Sequence, residues 1–171
     1  MFQKGLTMKY LKAKPISYDS KRNKKNVLFI VIHYTGNKGD TAIGNASYFT
    51  YRNVRSAGAH FFVDRSGNVV KSIPMNFTAW SVGGKKITGT KGGKFYGLCK
   101  NSNSVSIELC DIVDKLPSEK QIAAVKKLVK YIRKNCPNAK TIVRHYDVTG
   151  KACPASMLGA ATWADFKSKI A

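Results

Sequence analysis

Acidic side chains are scarce in this sequence: nine Asp and Glu stand against 30 Lys and Arg in 171 residues, a net charge of +21. The imbalance is spread along the chain. Residues 1–26 hold eight of the cations against Asp19 alone, which leaves 22 against eight over the other 145 residues. A field of that sign recruits polyanions, and nucleic acid, anionic lipid surfaces and anionic cell-wall polymers all qualify. Long apolar runs are missing too. No window approaches the roughly 18 apolar residues of a membrane span. Met1–Thr7 lacks the apolar stretch of about 7–15 residues that a secretory leader needs, so the expectation is a soluble product made in the cytosol. Cysteine is sparse: Cys99, Cys110, Cys136 and Cys153 do not form a disulfide framework for a chain this long. Cys110 reads as a buried free thiol closing a strand, while Cys99 and Cys136 fall in loop-like contexts. No internal repeat and no second hydrophobic domain is visible. What remains, 43% hydrophobic, is the composition of one domain that buries an ordinary core without staples.

Within that domain the pattern alternates strands with helices. Residues 1–26 read as an irregular basic arm with a short ordered piece, followed by the main domain over 27–171; Met8 is an alternative start, with Met1–Thr7 an upstream extension. The arm is either a solvated lead-in or an electrostatic tether to an anionic surface. Val27–Ile32 is apolar on both alternating faces and predicts a central strand buried on both sides. His33 ends it, on the face of Phe29 and Val31. Thr41–Val54 has helical spacing. Ala59–Asp64 and Val69–Pro74 flank a Gly-containing turn and predict a hairpin. Trp80–Lys100, rich in Gly and Lys, predicts a long loop, and long loops in compact domains usually carry function or move.

Ser104–Cys110 alternates, with Val105, Ile107 and Leu109 on one face and Ser106, Glu108 and Cys110 on the other. Glu108 therefore points into solvent or into a cleft. From Pro117 the clearest helix begins, with Ser118 and Gln121 as a capping box and Ile122, Val125, Leu128, Val129 and Ile132 as its buried stripe. Thr141–Arg144 predicts a short strand that delivers His145. The run from Arg144 to Pro154 is too polar and too punctuated by Gly and Pro for a regular helix. Ala161–Ile170 closes the chain as a short helix.

His33, Glu108 and His145 thus fall at or near strand ends, where α/β sheets build their sites. Alone, His33 would be a core histidine; with His145 and Cys153 it makes a three-ligand zinc set. Three protein ligands leave a fourth position for water, the catalytic arrangement, in which the metal lowers the pKa of that water to about 7 and polarises a carbonyl. Glu108 is the carboxylate on a strand face opposite the core and takes the role of general base. Lys151, two residues before Cys153, supplies a positive donor for the oxyanion. The expectation is a zinc hydrolase.

Four segments carry a resemblance. Val31-Ile32-His33-Tyr34-Thr35, Ala59-His60-Phe61, Ser104-Val105-Ser106-Ile107-Glu108 and the run His145–Pro154 resemble the type 2 N-acetylmuramoyl-L-alanine amidases, a group that includes phage lysozymes (endolysins) of the T7 type, bacterial autolysins and animal peptidoglycan recognition proteins. The similarity covers about Asn26–Leu158, and the loop with Lys151, Cys153 and Pro154 is its most specific part. It implies an α/β fold, a central mixed β-sheet flanked by helices. It implies Zn2+ on His33, His145 and Cys153, Glu108 as base, Lys151 as stabiliser of the tetrahedral intermediate, and cleavage of the amide between N-acetylmuramic acid and L-alanine. Tyr34, His60 and Trp80 are expected to touch substrate, His60 alternatively supporting the ligands.

The chain departs from the family pattern twice. Ala59 stands where many relatives have Tyr or Trp, and Trp80-Ser81-Val82-Gly83 stands where bacterial relatives often read Trp-His-Ala-Gly. A wall-lytic monomer acting on the cell wall after release is the expectation, held on anionic wall polymers by its basic surface because no wall-binding repeat follows Ala171. Two rivals remain. A non-catalytic peptidoglycan-binding module on the same fold would need neither Cys153, Lys151 nor Glu108. A nucleic-acid binder would interleave aromatics with cations on one platform, whereas Lys91–Lys100 is a Gly-rich loop.

Overall fold

A computed structural model of the chain describes residues 6–171; the first five residues of the basic arm, and with them the expectation of an extension starting at Met1, lie outside the described residues. The elements in order are β1 (Lys9–Tyr10), β2 (Tyr18–Lys21), β3 (Phe29–Tyr34), α1 (Ala42–Ser47), β4 (Phe61–Val63), β5 (Val69–Lys71), β6 (Phe77–Ala79), β7 (Ser104–Leu109), α2 (Glu119–Asn135), β8 (Thr141–Arg144), α3 (His145–Thr149) and α4 (Ala160–Ile170). Six strands form one sheet in the order β1-β5-β4-β7-β3-β8, and β2 pairs with β6 in a second, two-stranded sheet. Only β4 and β5 pair antiparallel in the larger sheet, as the hairpin pattern predicts. The expected mixed sheet flanked by helices is borne out.

Period-two alternation decides which face each residue serves. Ile30, Ile32, Phe61, Val63, Val105, Ile107 and Leu109 join Val125, Leu128, Val129 and Ile132 of α2 in the main core, which α4 closes with Phe166 and Ile170. The opposite face carries Val31 and Val143 in one smaller cluster and Phe62 and Val70 in another. His33 and Glu108 lie on that second face, side by side in register, with Phe62 next to Glu108 on β4. Among the described residues no helix is long and apolar enough to cross a membrane.

Three local readings need correction. Residues 9–26 are packed onto the domain: Lys9–Tyr10 runs parallel to β5, Tyr18–Lys21 pairs with β6, and Ala13 and Ser17 are buried. The backbone N–H groups of Leu11 and Ala13 extend that pairing by donating to Lys71 O and Ser72 O. Charge density hides such short strands, because their pairing partners lie some 60 residues downstream, as in Lys9 with Val70. The capping box is only half formed. Ser118 Oγ accepts from Gln121 N, but the Gln121 side chain is buried and its Nε2 donates to Val63 O and Cys110 O, 2.8 and 3.0 Å away. It ties α2 to two strand ends, and Ile122 is the half-buried residue instead. Finally, the polar run after β8 does form a helix, α3. Asp147 caps it by accepting from Arg144 N at 2.8 Å, and Gly150 ends it at φ +84, a left-handed conformation that favours glycine.

Candidate metal centre

Parallel pairing brings the two histidines together. Ile32 lies opposite Arg144 across β3 and β8, so the next residues, His33 and His145, emerge side by side at the strand ends. Their rings sit edge to face with centroids 4.8 Å apart. The return loop after α3 adds the sulfur: Gly150 turns the chain, Tyr146 N donates to Cys153 O at 2.9 Å, and Cys153 Sγ lies 3.8 Å from His33 Nδ1. One donor atom from each of His33, His145 and Cys153 falls within 4.8 Å of the others, and all three residues are buried. Two ligands of a tetrahedral zinc, with bonds near 2.1 and 2.3 Å, stand about 3.6 Å apart, close to what Cys153 and His33 present.

Two further observations fit a cation. His145 Nε2 is buried without a hydrogen-bond partner and His33 Nδ1 has only the Cys153 sulfur beside it, so strong hydrogen bonds do not hold these nitrogens as they would in a core histidine, at a cost of about 1–3 kcal/mol for an orphan. Electrostatics also keeps the rings neutral, the form that binds metal. Burial lowers His145 to about 4, helped by Lys151, and lowers His33 well below its usual value, helped by His145 and Lys151. Burial pushes the Cys153 thiol up to about 12, with Glu108 adding to the rise and a Tyr34 backbone hydrogen bond and Lys151 opposing it. A thiol so placed gives up its proton only to a strong positive charge, which a divalent ion supplies.

A cleft opens beside this cluster in two lobes that share Lys151. One, of about 520 Å³, is lined by Tyr34, Asn45, Phe49, Arg55, Glu108 and others. The second, of about 610 Å³, is lined by Trp80, Asn101 and His145 among others. Glu108 Oε2 is buried and unpartnered. Burial raises the Glu108 carboxyl to about 7; Asp40 adds to the rise and Lys151 opposes it. The structure therefore gathers His33, His145, Cys153, Glu108, Lys151, Tyr34 and Trp80 at one cleft.

It does not bring His60 there. His60 is fully buried, Nδ1 lies 3.0 Å from Ser106 Oγ and accepts from Ser106 N at 3.1 Å, and Nε2 lies 3.1 Å from Phe77 O. The Arg22 guanidinium sits 3.0 Å from the same Nε2 while donating to Met75 O and Asn101 O. The expected substrate contact is thus replaced by a structural node, because β4 turns His60 inward against Ser106. Asn45, Arg55 and Asn101 are cleft residues that pattern reading passes over. The helical spacing of 41–54 marks buried positions only, and Lys-Asn-Ser-Asn reads as an ordinary turn.

The loop over 83–98 forms part of the frame. It straps α3 through backbone bonds from Ile87 N to Thr149 O, Gly93 N to Tyr146 O and Phe95 N to Asp147 O. A Cβ on Gly92 would lie 2.5 Å from Tyr146 O and 2.7 Å from Gly150 Cα, so the strap closes on the His145 helix only with glycine there.

The fold and site together define a mixed-sheet domain in which two imidazoles and one thiol converge beside a cleft that a carboxyl and an ammonium line. Residues 23–156 match the Amidase_2 family, N-acetylmuramoyl-L-alanine amidase, and the chain belongs to that family. It is 32% identical over 131 residues to N-acetylmuramoyl-L-alanine amidase CwlL of Bacillus licheniformis, a match covering 74% of this chain and 35% of the relative. With N-acetylmuramoyl-L-alanine amidase BlyA of Bacillus subtilis (strain 168) it shares 30% identity over 148 residues, 82% of this chain and 40% of that one. The chain spans about a third to a half of the length of the curated relatives it matches. The catalytic domain of XlyA has the same fold, with a TM-score of 0.71 at 24% identity over 96% of this chain and 99% of that one. PlyL superposes with a TM-score of 0.75 at 19% identity over 96% of each chain.

Proposed function

We propose that the chain is a zinc-dependent peptidoglycan amidase that hydrolyses the bond between the lactyl group of N-acetylmuramic acid and L-alanine. The observation that carries the reading is the convergence of His33, His145 and Cys153, all buried, beside a cleft that Glu108 and Lys151 both line. Family membership supports it.

In this reading His33, His145 and Cys153 would hold the ion. Zinc, when bound, acidifies a water and polarises a carbonyl. Glu108 takes the proton of the attacking water and hands it to the departing amine of L-alanine, two transfers that suit a carboxyl lifted to about 7. Lys151 faces the carbonyl oxygen and donates to it as negative charge grows there. Tyr34 and Trp80 contact substrate on the two sides of Lys151. The protein acts on the bacterial wall, and its net charge of +21 holds it on anionic wall polymers, an attraction that shortens as the Debye length falls below about 8 Å.

Mass spectrometry of products from purified wall tests the reading. A new free lactyl carboxylate beside an L-alanine amine is expected with zinc-loaded protein. Intact lactyl-alanine amides after full loading would overturn it.

A further inference from the structure

The parallel strands have a second end, away from the cleft. Phe29, the first residue of β3, lies opposite Ser104 of β7 and Thr141 of β8. The segments that lead into these strands therefore arrive together, while His33, Glu108 and His145 stand at the far ends. Six residues of strand separate the two ends by about 17–20 Å. Hydrogen bonds knit the leading segments to one another. Leu28 N donates to Asn103 O at 2.8 Å, Thr141 N donates to Leu28 O at 3.3 Å, and Asn138 Nδ2 donates to Lys25 O at 2.8 Å. The helix α2 runs against the strands and ends at the same place: Gln121 near its start reaches Val63 O and Cys110 O, and Arg133 near its end donates to Lys140 O at 3.2 Å.

This base carries one sign of charge. Residues 23–28, 99–104 and 133–142 bring Lys24, Lys25, Lys100, Lys134 and Lys140, all exposed, together with the half-buried Arg133, and none of the three segments contains Asp or Glu. Among the described residues none of these cations forms an ion pair. Lys24 stands close to the end of α2: burial pushes the Cys136 thiol up, and Arg22 and Lys24 oppose the rise. The helix dipole accounts for Arg133 and Lys134 in the last turn of α2. It does not account for the lysines that two other segments add beside them. Like charges gathered on one face repel each other in the folded chain, and only an anionic partner turns that repulsion into attraction.

The rest of the face selects among polyanions. The three segments hold no Phe, Tyr or Trp, so no base can stack there as single-stranded nucleic acid requires. Leu28, 44% exposed, is the large apolar side chain they present, and one leucine gives a bilayer little area to bury. A flexible chain of phosphodiesters joined by polyols needs neither feature. It asks for cations spread over a surface, each meeting a phosphate.

We infer that the base of the sheet, where Lys24, Lys25, Lys134 and Lys140 meet, is a docking surface for a polyol-phosphate wall polymer, at the end of the domain opposite the cleft. The inference rests on the amidase reading only for the choice of a wall polymer, and it assigns the attraction to one face where that reading gives it to net charge. Its test is binding of poly(glycerol phosphate) to the full chain at low salt, with and without zinc. One variant combines Lys24→Gln, Lys25→Gln, Lys134→Gln and Lys140→Gln. A control combines Lys9→Gln, Lys12→Gln, Lys91→Gln and Lys120→Gln, exposed lysines outside the three segments, so that both proteins carry 21 − 4 = +17. The base variant is expected to bind the polymer about thirtyfold more weakly, the worth of four exposed ion pairs, and its slope of log affinity on log salt is expected to flatten by about 3. The control should lose less than about threefold, and zinc should change none of the affinities, because the cleft lies at the other end. Equal losses in the two variants, or no binding of the polymer by the wild type, overturn the surface. Tighter binding of duplex DNA or of phosphatidylglycerol vesicles than of the polymer at equal phosphate would give the face to another polyanion and overturn it as well. The selective loss in the base variant, together with no lactyl product from the wild type on polymer-free wall, would keep the surface and remove the amidase reading.

Discussion

Two buried histidine sites face each other across the molecule's logic. At His60 every ring nitrogen has a partner, and burial with the nearby Arg22 guanidinium holds the group down at about 3. At His33 and His145 the rings are buried too, yet His145 Nε2 has no partner and His33 Nδ1 has only a thiol, 3.8 Å away. Residue type and depth are the same. Partner count differs, and partner count separates a histidine that holds the fold from one kept ready for a ligand.

The largest effect should come from breaking the orphaned site. Cys153→Ser is expected to lower zinc content below half an equivalent and activity by about 10³-fold or more, with the far-ultraviolet spectrum intact, because two ligands hold the ion far less well than three. Zinc content that stays at one equivalent in this variant would break the comparison. Next, Glu108→Gln should keep its zinc while losing rate by about 10²–10⁴-fold. The same change should help folding, and the sign can be worked out. Glu108 is raised in the folded state to about 7 from 4.5, so the folded state holds the proton more tightly and stability falls as pH rises between those values. Metal-free Glu108→Gln therefore melts higher than metal-free wild type at pH 8, with the gap closing by pH 4.

His60 sharpens the contrast from the other side. His60→Ala should cost about 3 kcal/mol in chemical unfolding through unpaired Ser106 and Phe77 groups and an empty volume, while zinc per folded molecule stays at one. Its pH signature is opposite to that of Glu108. A histidine lowered from 6.5 to about 3 makes the unfolded chain bind the extra proton, so wild-type stability is full above 6.5 and drains as pH falls toward 3; His60→Gln flattens that slope. The smallest effect is a count of protons. With Cys153 at about 12 and His33 and His145 lowered, zinc uptake by Glu108→Gln at pH 6, where neither Glu108 nor a zinc-bound water near 7 contributes, should release close to one proton, read from calorimetry in buffers of different ionisation enthalpy. Release of two would mean that a histidine is charged before binding.

The basic N-terminal segment offers a further comparison with its own sequence. Its charge reads as a solvated lead-in or a tether, but Arg22 reaches Met75, Asn101 and His60. Truncation through residue 25 would remove that brace along with the charge. Substituting the exposed Lys21, Lys24 and Lys25 isolates the electrostatic contribution, and weaker binding to intact cells at low salt alone is the expected result.

Periodicity alone determined that a buried strand leads into His33, though it runs over Phe29–Tyr34 and not the expected Val27–Ile32, with Leu28 exposed; it also determined the helix from Ser118, the hairpin around Gly67 and the faces that His33 and Glu108 take, because period-two and 3.6-residue patterns are local consequences of what must be buried. The convergence of His33, His145 and Cys153 was legible as well, since few residue types bind metal and three of them close strands or loops. Tertiary structure decided the rest. Whether a histidine is a ligand or a strut depends on who faces it: Ser106 faces His60 from 46 residues away, and Cys153 faces His33 from 120. The same holds for Gln121, which leaves its helix cap for two strand carbonyls, and for Asn101, whose amide oxygen is taken by Ser81 N and Val82 N. Such pairings are set by how distant segments pack, and no local pattern encodes them.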